Sequence, residues 1–231
     1  MYIGGLERCS LIDFPGNIAA VVFTQGCNFR CGYCHNPELV YPSLFKPSFP
    51  EEEVFGFLES RKGKLDGLVI TGGEPTMHED LPDFMGKVKD MGFKVKLDSN
   101  GTNPDMLEKI INAGLADYIA MDIKGPMHAY ENVVCAAIVP ENIERSIKLI
   151  MGAKDYEFRT TIVKSQLPKD YFPGIGELIR GAKLYALQKF LPPPSMQINN
   201  LSFLKEKSYS DEELQEIKAV MKDYVKECII R

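Results

Sequence analysis

Four short apolar runs, each leaving through a small or polar exit, restrict what this chain can fold into more than any other feature. They are Ile18–Thr24, Gly67–Thr71, Lys94–Asp98 and Tyr118–Asp122. The first runs straight into a loop of cysteines. The others leave through Gly72-Gly73-Glu74-Pro75, Ser99-Asn100-Gly101 and Ile123-Lys124-Gly125-Pro126. Runs this short and this rich in β-branched residues read as buried strands of a parallel sheet. Helix signals fall between them. Pro50 opens one helix with Glu51, Glu52 and Glu53 in its first turn, where the dipole favours acids, and Val54, Phe57 and Leu58 mark its buried side. A second helix is predicted over about 81–91, and a third starts at Pro104, well placed at a first helical position, and stops at Gly114. Helices around 141–152 and 170–181 and strands around 156–163 and 184–190 complete six βα units. Six are too few for a closed eight-fold barrel, so the predicted fold is α/β, an open, partial β6α6 barrel of the TIM type.

Residues 1–16 read as a short extension carrying a strand or hairpin, and 37–49, with three prolines, as a loop. Ser210 to Cys228 reads as a packed terminal helix: it has an N-cap, acids in its first turn, and Leu214, Ile217, Val220 or Met221, and Tyr224 at helical spacing. No linker or internal repeat divides the chain, so residues 1–231 are expected to form one domain. A net charge of −5 and a pI near 5.4 argue against a nucleic-acid coat, which would present a basic face. No apolar run has membrane-spanning length, and the first residues lack the pattern of an export signal. The expectation is a cytoplasmic protein with reduced thiols.

In barrels of this kind the reactive face lies at the carboxyl ends of the strands. The unusual residues obey that rule: cysteines follow the first strand, Gly-Gly-Glu-Pro the second, Asp98-Ser99-Asn100 the third, and Asp122-Ile-Lys124 the fourth. Arg159 lies within the fifth strand and Gln188 within the sixth. One mouth would then gather thiols, a glycine turn, two acids and two bases. The thiols are Cys27, Cys31 and Cys34, spaced C-x3-C-x2-C, half of the six cysteines in the chain. Thiols this close hold a soft metal, either zinc or an iron–sulfur cluster. Three cysteines would leave one iron of a [4Fe–4S] cube open to a small molecule, whereas zinc could close its shell with His35. Cys9, Cys135 and Cys228 are scattered and read as small surface or buried residues, and His78 and His128 are given no direct role.

Cys27-x3-Cys31-x-Tyr33-Cys34 after one strand, with Gly72-Gly73-Glu74-Pro75 after the next, resembles the radical S-adenosylmethionine (SAM) enzymes. Gly5-Leu-Glu-Arg-Cys-Ser-Leu-Ile-Asp-Phe-Pro-Gly16, Phe23-Thr-Gln-Gly-Cys27 and Cys34-His-Asn-Pro37 are similar to the activating enzymes of glycyl-radical proteins. The likeness is strongest to the activators of anaerobic ribonucleoside-triphosphate reductase, then to those of pyruvate formate-lyase. The resemblance implies an anaerobic oxidoreductase. Cys27, Cys31 and Cys34 would hold three irons, and SAM would chelate the fourth and be cleaved reductively to methionine and a 5′-deoxyadenosyl radical. That radical would take a hydrogen atom from a glycine of the partner. Gly72, Gly73 and Glu74 would meet the SAM amino group, and Tyr33 would flank the adenine. Lys124, Arg159 and Gln188 would lie near SAM or the substrate. Asp98, Ser99, the Ala120 carbonyl and Asp122 match a monovalent-cation site (Na or K) beside the SAM carboxylate; read without the resemblance, the two acids pair with Lys124 and Arg159. The implied partners are a glycyl-radical enzyme as protein substrate and reduced flavodoxin or ferredoxin as electron donor, with no nucleic acid and no membrane. No second cysteine group exists for an auxiliary cluster, and a minimal barrel leaves a wide lateral mouth, which suits a protein substrate. Val133-Val-Cys135-Ala-Ala departs from the Thr-Gly often found there in activators. The rivals are a radical SAM catalyst of a small molecule, such as a 7-carboxy-7-deazaguanine synthase, and a non-catalytic zinc module.

Overall fold

The computed structural model describes residues 1–191 and 208–231. Its centre is one eight-stranded sheet whose spatial order follows the chain, from β1 to β8. Strand β1 (Ile3–Ser10) lies antiparallel to β2 (Ala19–Thr24) at one edge. The rest run parallel: β3 (Gly67–Gly72), β4 (Lys94–Ser99), β5 (Tyr118–Asp122), β6 (Tyr156–Ile162), β7 (Tyr185–Lys189) and β8 (Cys228–Ile230). Among the described residues β1 and β8 do not pair, so the barrel is open.

Helices cover the outer face: α1 (Glu51–Ser60), α2 (Leu81–Asp90), α3 (Pro104–Asn112), α4 (Tyr130–Val134), α5 (Pro140–Met151), α6 (Phe172–Leu178) and α7 (Asp211–Met221). Their starts bear the expected chemistry. Asn103 caps α3 by accepting from Met106 N, with Pro104 in the first turn. Ser210 and Glu213 form a reciprocal capping box on α7.

Strand parity divides the molecule in two. Ala20 and Val22, Leu68 and Ile70, Val95 and Leu97, and Ile119 and Met121 face the helices and build the main core. The alternate residues face the lumen. There Ala19, Val21 and Val69 pack on Phe14 in a small apolar cluster, while Lys96, Asp98, Glu157 and Arg159 share the same parity further along the sheet. Runs that look uniformly buried therefore carry charge on one face. Burial of a charge is costly unless it is paired, and these are.

The terminal helix is shorter than expected. It ends at Met221, and Cys228–Ile230 forms the seventh parallel strand, paired with Tyr185–Leu187. Leu214, Ile217 and Met221 are the buried face of α7. Tyr224 continues their spacing but lies beyond the helix end, its ring over Gly176, where an added Cβ would come within 2.4 Å of it. Helix α6 is also shorter than 170–181: a 3-10 turn, Lys169–Tyr171, precedes it, and Ile179 leaves helical geometry at φ −110°. The short helix α4 had no sequence signal of its own.

Candidate active site

The loop after β2 is fixed before any metal enters. Gly26 turns the chain at φ +93° and donates its N–H to Leu39 O at 2.7 Å. Arg30 reaches back to the carbonyls of Cys27 (2.6 Å) and Phe29 (2.7 Å), and its own N–H donates to Val134 O at 2.8 Å. Phe29 is buried against Tyr130. Cys34 N donates to Cys31 O at 3.0 Å, folding Cys31–Cys34 into a turn. Cys27, Cys31 and Cys34 are half-buried and line one cavity of about 580 Å³.

The glycine turn is bolted to this loop. Gly73 N donates to Thr24 O at 2.8 Å, and Glu74 N to Gly26 O at 2.7 Å. A Cβ on Gly72 would lie 2.4 Å from Thr24 N, and one on Gly73 would lie 2.0 Å from Gly26 O. Both positions need glycine because two strand exits pack main chain against main chain. The Glu74 carboxylate is fully buried and accepts from Thr76 N, Thr76 Oγ1, Ser99 Oγ (2.9 Å) and Asn100 N (2.6 Å). It thereby ties the exit of β3 to that of β4. Burial pushes its pKa up against the pull of these donors. With its side chain so engaged, this turn meets the cavity with main chain.

Burial also pushes the three thiols up, Cys27 to about 12, with the Glu74 carboxylate adding to the effect there. Bare, the triad is protonated; iron would supply the positive charge that deprotonates it. The donor set fits an iron–sulfur cluster: three soft ligands on one wall of a cavity large enough for further ligands. Among the described residues no three Cys, His, Asp or Glu side chains form a group able to hold a single metal ion. His35, the other ligand that zinc could use, faces the same cavity, with Nε2 3.2 Å from Leu191 O and its ring on Phe190. Burial lowers its pKa.

Facing the thiols is a chain of charges contributed by three adjacent strands. Lys96 Nζ donates to Asp98 Oδ1 at 2.6 Å, and Arg159 Nη2 lies 3.0 Å from Asp98 Oδ2. Arg159 Nε donates to Asp122 Oδ1 at 2.6 Å, and Lys124 Nζ donates to Asp122 Oδ2 at 3.0 Å. The sheet register aligns them, with Asp122 opposite Arg159 and Asp98 opposite Ala120. Burial, the largest single influence, opposes ionisation of both acids, but Arg159 together with Lys96 at Asp98 and with Lys124 at Asp122 outweighs it, and both fall below the ordinary carboxylate range. Lys124 is held well above its ordinary value despite burial, chiefly by Asp122, and Arg159 is raised in the same way.

Most of the sequence-predicted residues meet at this cavity. Tyr33 lines it, nearly buried; Lys124 Nζ lies 5.9 Å from its ring centre, and its hydroxyl has no hydrogen-bond partner among the described residues. Gly72, Gly73, Glu74, Ser99, Lys124, Arg159 and Gln188 line it as well, Gln188 beside Thr161. Ala120 does not: it is buried in mid-strand between β4 and β6. Cys9 and Cys135 are exposed and Cys228 is buried in β8, away from the loop, as their isolation in the sequence suggested. Lys96, Asn100 and Arg231 were missed. Lys96 had a signal, since it shares parity with Asp98 two residues on; Arg231, paired with Glu157, depends on the unforeseen β8.

The family model of the radical SAM superfamily matches residues 21–168. The chain belongs to that superfamily and is an enzyme of it, with the barrel, cysteine loop and glycine turn in the expected places. Within the superfamily it is similar, at 33% identity, to a candidate glycyl-radical enzyme activating enzyme of Methanocaldococcus jannaschii, covering 99% of this chain and 95% of that protein. It is 33% identical to a pyruvate formate-lyase-activating enzyme of Clostridium pasteurianum over 53% of this chain and 52% of that one. A 7-carboxy-7-deazaguanine synthase of Methanopyrus kandleri aligns at 31% over 50% and 52% respectively.

Proposed function

We propose that the chain is a radical SAM activase, taking one hydrogen atom from a glycine of a partner enzyme and leaving a glycyl radical there. The observation that carries this is the convergence of three thiols, the glycine turn and the Asp98–Arg159–Asp122–Lys124 charges on one cavity at the carboxyl ends of the strands. The full-length likeness to a candidate activating enzyme supports the glycyl-radical part. When bound, a [4Fe–4S] cluster would supply the one-electron reduction that cleaves SAM to methionine, and the hydrogen atom taken from the partner's glycine would leave in 5′-deoxyadenosine.

The residues do the positioning. Cys27, Cys31 and Cys34 would hold three irons of the cluster and leave the fourth for SAM. The main chain of Gly72–Glu74 would meet the SAM amino group from a turn held by its bonds to Thr24 and Gly26. Lys124 and Arg159 offer fixed positive charge to the SAM carboxylate or the partner's main chain. Tyr33 and Gln188, which line the cavity, would wall the adenine side. The partner proposed is anaerobic ribonucleoside-triphosphate reductase, and the electron donor reduced flavodoxin or ferredoxin. No described helix is long and apolar enough to cross a membrane, and the proposed location is the cytoplasm.

Electron paramagnetic resonance of anaerobically reconstituted, dithionite-reduced protein tests the site. A [4Fe–4S]+ signal that changes shape on adding SAM is expected; a silent sample containing zinc without sulfide would overturn the reading. The half-length likeness to a 7-carboxy-7-deazaguanine synthase supports a second reading, reaction on a pterin. Turnover of a pterin without any partner protein would decide for it.

A further inference from the structure

The two acids that would share a monovalent cation are already bridged by a cation of the protein. Each of the four carboxylate oxygens of Asp98 and Asp122 already lies 2.6–3.0 Å from a protein nitrogen. Arg159 sits between them: its Nη2 faces one acid while its Nε donates to the other, which is where a bridging ion would have to go. Behind it, Lys96 is 2% exposed and places its ammonium on Asp98. Asp98 is thus enclosed from two sides by charges fixed to β4 and β6. The fourth ligand of the expected ion, the Ala120 carbonyl, belongs to a strand paired on both sides and does not line the cavity. Guanidinium is the less hydrated of the two basic groups and has a rigid planar fork, so it suits a buried bridge between carboxylates. Expelling it for a sodium or potassium ion would strand a buried cation.

We propose that this enzyme carries its bridging cation in its own chain: the Arg159 guanidinium joins Asp98 to Asp122, Lys96 secures it as a positioning residue, and no monovalent metal ion binds there. The inference rests on the reading of this cavity as the SAM site. It makes the charge that meets the SAM carboxylate a permanent part of the barrel, independent of the salt in solution.

The test compares KCl, NaCl and choline chloride at one ionic strength. Calorimetric titration of SAM into the anaerobically reconstituted wild type should give affinities within about two-fold across the three salts. The melting temperature of the same protein without SAM should not differ among them either, since an ion bound only by the native state would raise it with concentration. Arg159→Gln and Lys96→Gln should bind SAM about ten-fold more weakly in choline and recover in KCl or NaCl, because an ion can enter the space they vacate. Lys96→Arg, keeping the charge, should stay indifferent to the salt. A wild type that loses affinity or melting temperature in choline would overturn the proposal. So would an Arg159→Gln protein that folds, binds SAM, and responds equally to all three salts. Failure of the wild type to bind SAM in any salt would instead remove the SAM reading, and the melting comparison would still decide whether an ion binds.

Discussion

Asp122 accepts from two different cations, one on each oxygen, and its burial is tolerated only because both are present. Replacing it by Asn leaves Arg159 and Lys124 short of charge in a buried place, so Asp122→Asn should cost about 3 kcal/mol at pH 7. The sign of the pH dependence follows from its lowered pKa. A carboxylate depressed in the folded state stabilises it fully above the unfolded value, about 4, and the benefit shrinks as pH falls towards the folded value. The gap between wild type and variant in urea unfolding of the apoprotein should therefore be full at pH 7 and smaller at pH 3. An equal gap at both would show that Asp122 acts through packing rather than charge. The cysteines make a different prediction. On the proposed reading each of Cys27→Ala, Cys31→Ala and Cys34→Ala would remove one iron ligand while the loop keeps its Arg30 and Phe29 anchors. Each variant should keep the circular dichroism of the wild type and lose SAM cleavage to below detection; retained cleavage would refute the ligand assignment.

Elements were legible wherever local pattern and tertiary packing agreed. The strand exits carrying Cys27, Gly72-Gly73, Asp98-Ser99 and Asp122-Lys124 were readable because short β-branched runs bounded by glycine and polar residues have one structural solution here. Strand β8 was not, because Cys228–Ile230 is three residues long and continues an apparently helical pattern through Tyr224. The inward face of β4 was only half readable: Asp98 stood out at an exit, while Lys96 looked like an ordinary strand lysine until Arg159 arrived from β6. The Gly72-Gly73 pair suggested room for a ligand, and its Cβ positions are in fact filled by the main chain of the neighbouring exit. That contact is long-range, so no local pattern could reveal it. Two element ends invite tests. Ser210→Ala removes one half of the capping box on α7 and should cost about 1 kcal/mol in denaturant unfolding. Cys135, exposed and left-handed at φ +50° after α4, bears the opposite cost. Cys135→Gly relieves it and should stabilise the chain by up to about 1 kcal/mol; a loss of stability would mean that the thiol's contact with Asn132 O matters more than the backbone.

At the scale of the whole molecule, the cavity at the carboxyl ends of the strands poses the question of which substrate supplies the hydrogen atom. Order along the sheet follows order along the chain, so β1 and β8 are its two edges and do not pair among the described residues. The reactive end is walled by the cysteine loop on one side and by β6 and β7 on the other, and the lumen between them is charged. On the proposed reading a glycine segment of a large partner would present its main chain to Lys124 and Arg159, whereas a pterin would have to be held by its ring. The distinction can be read from the fate of one atom. If the anaerobic reductase is the partner, supplying it with deuterium at the α-carbon of its glycines should place one deuterium in the 5′-deoxyadenosine released, and mass spectrometry should find the product one mass unit heavier. The partner should then show a glycyl-radical resonance, in an amount not exceeding the 5′-deoxyadenosine formed. Unlabelled product with the reductase present, together with labelled product from a pterin deuterated at its reacting carbon, would assign the hydrogen source to the small molecule. The same cavity would then serve a synthase rather than an activase.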